Sequence, residues 1–145
     1  MMPSPVVLTT VPRRRMNRFE TDTAMIIGRR RGTVVKTTGD GIMATFDGPG
    51  RAVEASVALR DHARSLGMEL RAGLHTGEIE RRADDISGLA VHLASRVQSL
   101  AAPGEVVVSS TVVDLTIGSG LEYEPRLAED DLKGFDRTFA LFTVR

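Results

Sequence analysis

The sequence contains no cysteine and no tryptophan, and aromatic residues make up only 4% of its 145 residues. Without cysteine the chain forms neither disulfides nor thiolate metal sites, which is typical of the reducing cytoplasm, where we expect this protein. No apolar run approaches the ~20 residues that span a bilayer. No apolar segment follows the N-terminal arginines as it would in a signal peptide. We therefore predict no membrane span.

The chain also has no net charge, but its charged residues are unevenly distributed. The formal net charge is zero, yet residues 1–31 hold seven arginines against Glu20 and Asp22. A basic segment of this kind either binds nucleic acid or an anionic surface, or is a solvated arm. The scarcity of aromatic residues and the absence of an RNA-binding signature favour the arm. We predict no nucleic-acid partner.

The length and the hydrophobic fraction of 41% suit one domain with a single core. We expect an irregular or disordered N-terminal arm over residues 1–16, with at most a short strand over 6–11 before Pro12. The domain itself is predicted to cover residues 17–145.

Apolar periodicity and turn residues predict an alternating series of helices and strands in the domain. The predicted helices cover 17–31, 50–66 and 87–101. The predicted strands cover 33–38, 42–47, 68–75 and the run EVVVSS, with two more in LEYEP and TFALFTV. This mixed order with an early hairpin indicates an α+β sandwich, in which helices cover one face of a mostly antiparallel sheet.

The predicted hairpin, VVKTTGDGIMATF, places Lys36 four residues before Asp40. Gly39-Asp40-Gly41 is a strong tight-turn sequence, because glycine and aspartate tolerate positive φ. Asp40 is therefore either a turn residue or an exposed hard oxygen ligand of the kind Mg²⁺ prefers. Lys36 is either a solvated strand lysine or a donor to a ligand.

Three polar residues, Asp85, His92 and Arg96, follow one another at spacings of seven and four. If the segment is helical, His92 and Arg96 each lie within about 20° of Asp85 around the axis. The stripe is either the wet face of an amphipathic helix or a functional face. His75, on an alternating strand, is predicted to be structural.

Five blocks occur in one order: KTTGDGIMATFDGP, GLHTGE, GLAVHLASRV, PGEVVVSSTV and LKG. Together they resemble the class III nucleotidyl cyclase catalytic domain, especially the actinobacterial type. The resemblance implies a ferredoxin-like core and a head-to-tail homodimer with active sites at the interface. It also implies conversion of a nucleoside triphosphate into a 3′,5′-cyclic monophosphate and pyrophosphate, as part of cyclic nucleotide signalling.

The same resemblance assigns roles residue by residue. Asp40 matches the second metal-binding aspartate of a site that holds two Mg²⁺ or Mn²⁺ ions, and Lys36 and Asp85 match the pair that reads the purine. Arg96 matches the arginine that stabilises the transition state, and His92 stands where the family most often has asparagine. Lysine only donates, as adenine N1 requires, and aspartate only accepts, as the N6 amine requires, so we expect ATP rather than GTP.

One part of the family pattern is absent. Family members begin with a strand ending in a Phe-Thr-Asp-Ile type motif that supplies the first metal-binding aspartate, and this chain has VVLTTVPRRRMNRF there. We therefore expect the first strand and its carboxylate to be missing. We therefore interpret the chain as a weak or incomplete adenylyl cyclase domain. The alternatives are a non-catalytic pseudocyclase that binds nucleotide or pairs with an intact cyclase, and an inactive scaffold.

Overall fold

The structure is a computed structural model that describes residues 4–10, 16–37, 41–77, 80–82, 85–128, 131–133 and 138–145. Side chains are described for residues 21–37, 41–77, 88–128, 131–133 and 138–145. The helices are α1 (Met16–Arg29), α2 (Pro49–Ser65), α3 (Leu89–Ser99) and α4 (Ser110–Leu115). The strands are β1 (Ser4–Thr10), β2 (Gly32–Thr37), β3 (Gly41–Phe46), β4 (Arg71–Gly77), β5 (Glu80–Arg82), β6 (Asp85–Ser87), β7 (Val106–Ser109), β8 (Tyr123–Pro125), β9 (Leu132–Lys133), β10 (Thr138–Phe139) and β11 (Leu141–Val144).

Seven strands form the main sheet in the order β2-β3-β1-β4-β7-β11-β8. Every neighbouring pair is antiparallel except β4 and β7. The first six elements, β1-α1-β2-β3-α2-β4, have the strand order β4-β1-β3-β2 of a split βαβ unit. The predicted α+β, ferredoxin-like class is confirmed. None of the helices in the described part of the chain is long and apolar enough to cross a lipid bilayer.

The first strand is present, which corrects one prediction. Residues 1–16 were expected to be an irregular arm, but Ser4–Thr10 form β1 in the middle of the sheet, between β3 and β4. Leu8, for example, pairs with Met43 on one side and Gly73 on the other. The local sequence allowed only a short strand over 6–11, because the hydrogen-bond partners of β1 lie far along the chain and prolines stand at residues 5 and 12.

Helices cover both faces of the sheet rather than one. Helices α1, α2 and α4 pack on one face, over a core that includes Ile27, Leu59, Leu74 and Val112. Helix α3 packs on the opposite face, where Leu93 and Val97 meet Val107, Leu132, Phe139 and Leu141. The three successive valines of β7 explain the difference, because a strand buried on both faces needs a cover on each side.

The predicted hairpin and helix positions agree with the structure, apart from the start of α3. The helix was predicted over 87–101 with Asp85 aligned to its polar stripe, but Asp85–Ser87 form β6, which pairs with β5. Gly88 lies between β6 and α3 with φ 121°, in the range that glycine adopts without strain. The predicted helical stripe is therefore wrong for Asp85 and holds for His92 and Arg96.

The C-terminal end of α3 contacts a partly buried ion pair. Nη1 of Arg126 donates to the two carboxylate oxygens of Glu105 at 3.0 and 3.1 Å, and Nη2 donates to the carbonyl of Leu100 at 3.1 Å. Burial raises the pKa of Glu105, but hydrogen bonds from the backbone N–H of Ala102 and from Arg126 outweigh it, so the net pKa is lowered.

This lowered pKa predicts a pH-dependent contribution to stability. The contribution is fully present above the pKa of the unfolded chain and is lost as pH falls through the folded pKa. We expect Glu105→Gln to destabilise the protein by about 1–2 kcal/mol near neutral pH, since charged hydrogen bonds are worth roughly that after partial solvent screening. Thermal melts between about pH 6 and pH 3 should therefore show a smaller loss of Tm for this variant than for the natural protein.

The matched control is Glu122→Gln, at a carboxylate that is 74% exposed. It should lose as much Tm on acidification as the natural protein does. If the Tm of Glu105→Gln also falls on acidification by as much as that of the natural protein, the ion pair does not contribute as described.

Candidate active site

Lys36 lies on the face of the sheet that α3 covers. It pairs with Met43 of β3, whose buried side chain packs with Ala94 of α3. Directly opposed residues of an antiparallel pair share a face, so Lys36 belongs to the same side as α3. We call this side the α3 face.

Asp85 belongs to the same neighbourhood through its backbone. It is the first residue of β6, and β6 lies beside β2, the strand that carries Lys36. Both strands belong to one chain, so their approach needs no second copy. The structure thus brings together the two segments that were predicted to read a purine, although the side chain of Asp85 lies outside the described set.

His92 and Arg96 lie one helical turn apart on α3 and are both exposed. Ala90, Leu93, Ala94 and Val97 bury the other side of the helix. Nη1 of Arg96 donates to the backbone carbonyl of Lys133 on β9 at 2.6 Å. This contact fixes the guanidinium at the junction of α3 and the β9–β10 pair, and nothing in the local sequence could have indicated it.

Close backbone contact between α3 and β4 sets the position of the helix. Gly73 of β4 lies against Gln98, so a methyl group at residue 73 would overlap the backbone nitrogen and Cα of Gln98. A methyl group at Gly77 would come within 2.9 Å of Cβ of Ala90. Two glycines on one face of β4 thus let the helix approach the sheet closely. The position of the helix in turn sets where His92 and Arg96 lie.

His75 lies in the same strand but has a packing role, as predicted. It is buried, its Nδ1 is 2.7 Å from Oγ of Ser109, and its ring meets Phe139 edge-on at a centroid distance of 5.0 Å.

The described strand β1 does not supply a second carboxylate to accompany the predicted metal ligand Asp40. Asp40 lies outside the described residues, and β1 carries no carboxylate and ends at Thr10, which pairs with Gly41, the neighbour of Asp40. Oδ2 of Asp22 forms a hydrogen bond with Nε2 of His62 at 2.8 Å, so this carboxylate belongs to the contact between α1 and α2 instead. Among the residues that the structure describes, no three acidic or histidine side chains are grouped to hold a cation. Neither β1 nor Asp22 therefore adds a described carboxylate to the predicted ligand Asp40.

The model of the family described as Adenylate and Guanylate cyclase catalytic domain matches residues 12–143. The chain belongs to this family. The match covers almost all of the sequence, and it includes every element from α1 to β10.

Individual relatives agree with this assignment. An uncharacterized protein of Mycobacterium tuberculosis is 33% identical over an alignment of 133 residues that covers 89% of this chain and 34% of that protein. An adenylate cyclase of Streptomyces coelicolor is 34% identical over 99 residues, which are 66% of this chain and 26% of that protein. This chain thus spans about a third of the length of the mycobacterial relative and about a quarter of the Streptomyces enzyme.

Solved structures share the fold. The adenylyl cyclase CyaB from P. aeruginosa superposes with a TM-score of 0.82 at 21% identity, over 99% of this chain and 94% of that one. The catalytic core of a rhodopsin-guanylyl cyclase with converted specificity, in complex with ATPalphaS, gives a TM-score of 0.86 at 18% identity, over 99% and 96% of the two chains. At these identities the likeness establishes the cyclase fold alone.

Proposed function

We propose that this cyclase domain binds ATP and converts it slowly into 3′,5′-cyclic AMP and pyrophosphate. In that reaction the ribose 3′-oxygen loses its proton and bonds to the α-phosphorus, and the bond from that phosphorus to pyrophosphate breaks. The observation that carries the proposal is the approach of β2, with Lys36 on the α3 face, to β6, which begins at Asp85. A lysine donor and an aspartate acceptor complement N1 and N6 of adenine.

The other residues of the α3 face fit the phosphate end of the same nucleotide. Arg96 carries a forked donor suited to a phosphate on which charge builds up. His92, one turn earlier, would donate to the ribose or a phosphate as asparagine does elsewhere in the family. We propose a head-to-tail pair of copies, in which Asp40 of one chain serves the site whose purine is read by the other.

Purine selection tests this proposal directly. We expect Lys36→Ala to weaken ATP binding by about tenfold, because a matched hydrogen bond to a base is worth roughly 1–3 kcal/mol. Lys36→Glu should weaken ATP further and improve GTP relative to ATP, since guanine presents a donor at N1. Titration calorimetry with each nucleotide measures both effects.

Arg71→Ala is the control, because it removes another exposed cation, at the start of β4. It should leave the ratio of ATP to GTP affinity unchanged. A natural protein that binds GTP as well as ATP, or a Lys36→Glu variant with the same ratio, would remove the adenine assignment.

A second function is a non-catalytic partner that binds nucleotide or pairs with an intact cyclase. The observation in its favour is Thr10, which stands opposite Gly41 where a second carboxylate would adjoin Asp40. Cyclic AMP yields separate the two functions. Turnover that Asp40→Ala abolishes supports the enzyme. Equal background from both proteins, with ATP binding retained, supports the partner.

A further inference from the structure

The pairing of β2 with β3 contains one irregularity, directly beside Lys36. Val34 pairs with Ala44 and Lys36 pairs with Met43, so two steps along β2 match a single step along β3. Val35 is the extra residue of a β-bulge. Bulges are enriched next to active sites, where they change the direction of a side chain.

The bulge separates two residues that a regular strand would place on one side. Residues two apart share a face in regular pairing, yet Val34 packs into the core beneath α1 and α2, whereas Lys36 lies opposite Met43 on the α3 face. The strand can therefore contribute to the core and to the candidate site within three residues.

Val35 itself connects Lys36 to helix α3. It is half-buried and packs against the buried pair Met43 and Ala94, as Val91 of α3 does. This small apolar cluster is separate from the two larger cores. It is the packing contact between the strand that carries Lys36 and the helix that carries His92 and Arg96.

We propose that Val35 is a positioning residue for purine recognition, which acts by holding Lys36 at a fixed distance from α3 and β6. This inference rests on the proposed function. A lysine ammonium sits on a flexible four-carbon stem, so its placement at a base depends on where its backbone is held. Loss of the Val35 contact should change the preference among purine nucleotides. It should have a smaller effect on the affinity that comes from their common triphosphate.

The test compares two valines on the same strand. Val35→Ala and Val34→Ala each truncate one half-buried valine, the first against α3 and the second against the α1–α2 core. The probes are ATP and inosine triphosphate, which differ only at N1 and the 6-substituent, the edge assigned to Lys36 and Asp85. Affinities come from calorimetry, and Tm is recorded for every variant.

We expect the natural protein to prefer ATP by about tenfold or more, as one or two matched contacts allow. Val35→Ala should lower that ratio by about fivefold or more. Val34→Ala should lower Tm but keep the ratio, and Val35→Ile, which preserves branching and apolarity, should keep it too. In a Lys36→Ala background, Val35→Ala should lower the ratio no further, because the effect passes through Lys36.

Each other outcome counts against the inference. The role of Val35 is overturned if Val35→Ala and Val34→Ala have the same ratio of ATP to inosine triphosphate affinity while the natural protein prefers ATP. That result leaves the proposed function standing. A natural protein without preference overturns both. If Val35→Ala does not fold, Val35→Thr replaces it, since it keeps the volume and puts a hydroxyl into the apolar cluster. If Val35→Thr leaves the ratio of ATP to inosine triphosphate affinity unchanged, the inference is also overturned.

Discussion

Gly73→Ala should destabilise the domain by about 3 kcal/mol or more, which is at the upper end for overpacking because backbone rather than a side chain occupies the space. The added methyl group would overlap the backbone of Gln98, so α3 has to move away from β4. For a chain of this size the loss corresponds to a decrease in Tm of roughly 10 °C. Thermal unfolding followed by circular dichroism measures it.

Gly28→Ala supplies the matched control. A methyl group at Gly28, in α1, meets nothing within 4 Å. Because glycine disfavours helix by roughly 1 kcal/mol relative to alanine, this variant should be slightly stabilised. If both variants melt together near the natural protein, the close contact between α3 and β4 is not as described.

Thr10→Asp should strengthen the binding of Mn²⁺ and raise cyclic AMP formation by roughly 10²–10³, the usual effect of one preorganised electrostatic group. Thr10 is the last residue of β1, and the family motif described above carries its aspartate at the end of the first strand, so we expect residue 10 to be the site where a carboxylate restores that motif. Thr10 pairs with Gly41, which follows the predicted ligand Asp40 in the sequence, so we expect a carboxylate at residue 10 to adjoin the predicted metal position. Manganese binding followed by electron paramagnetic resonance gives a readout independent of turnover.

The comparison variant is Thr10→Asn, which has nearly the same shape as aspartate but no charge. It should bind Mn²⁺ no better than the natural protein does. In Thr10→Asp, a further Asp40→Ala change should remove the gain. Equal manganese affinity in the aspartate and asparagine variants would show that residue 10 does not adjoin the metal position.

Local sequence was sufficient to predict those elements whose boundaries are marked by nearby residues. The hairpin follows from Gly39-Asp40-Gly41, and α2 follows from its apolar spacing between Pro49 and Gly67. The family relationship and the ferredoxin-like class followed from motif order, and both are confirmed.

The features that were missed depend on contacts between distant residues. Strand β1 is defined by β3 and β4, and the bulge at Val35 follows from packing on two faces of the sheet. Asp85 was aligned with the polar stripe of the third helix because helical spacing matched it to His92, whereas Gly88 separates a strand from that helix. The roles of Lys36, Asp40, Asp85, His92 and Arg96 remain predictions, and the experiments above examine those of Lys36 and Asp40.

The central place of β1 has a consequence for how the chain folds. This strand is synthesised before both of its partners, which follow more than thirty residues later. The β2–β3 hairpin forms from neighbouring residues, whereas β1 must wait for β4 before both of its edges are paired. Such long-range closure slows folding, so we expect the nascent chain to pair both edges of β1 only after β4 has been synthesised.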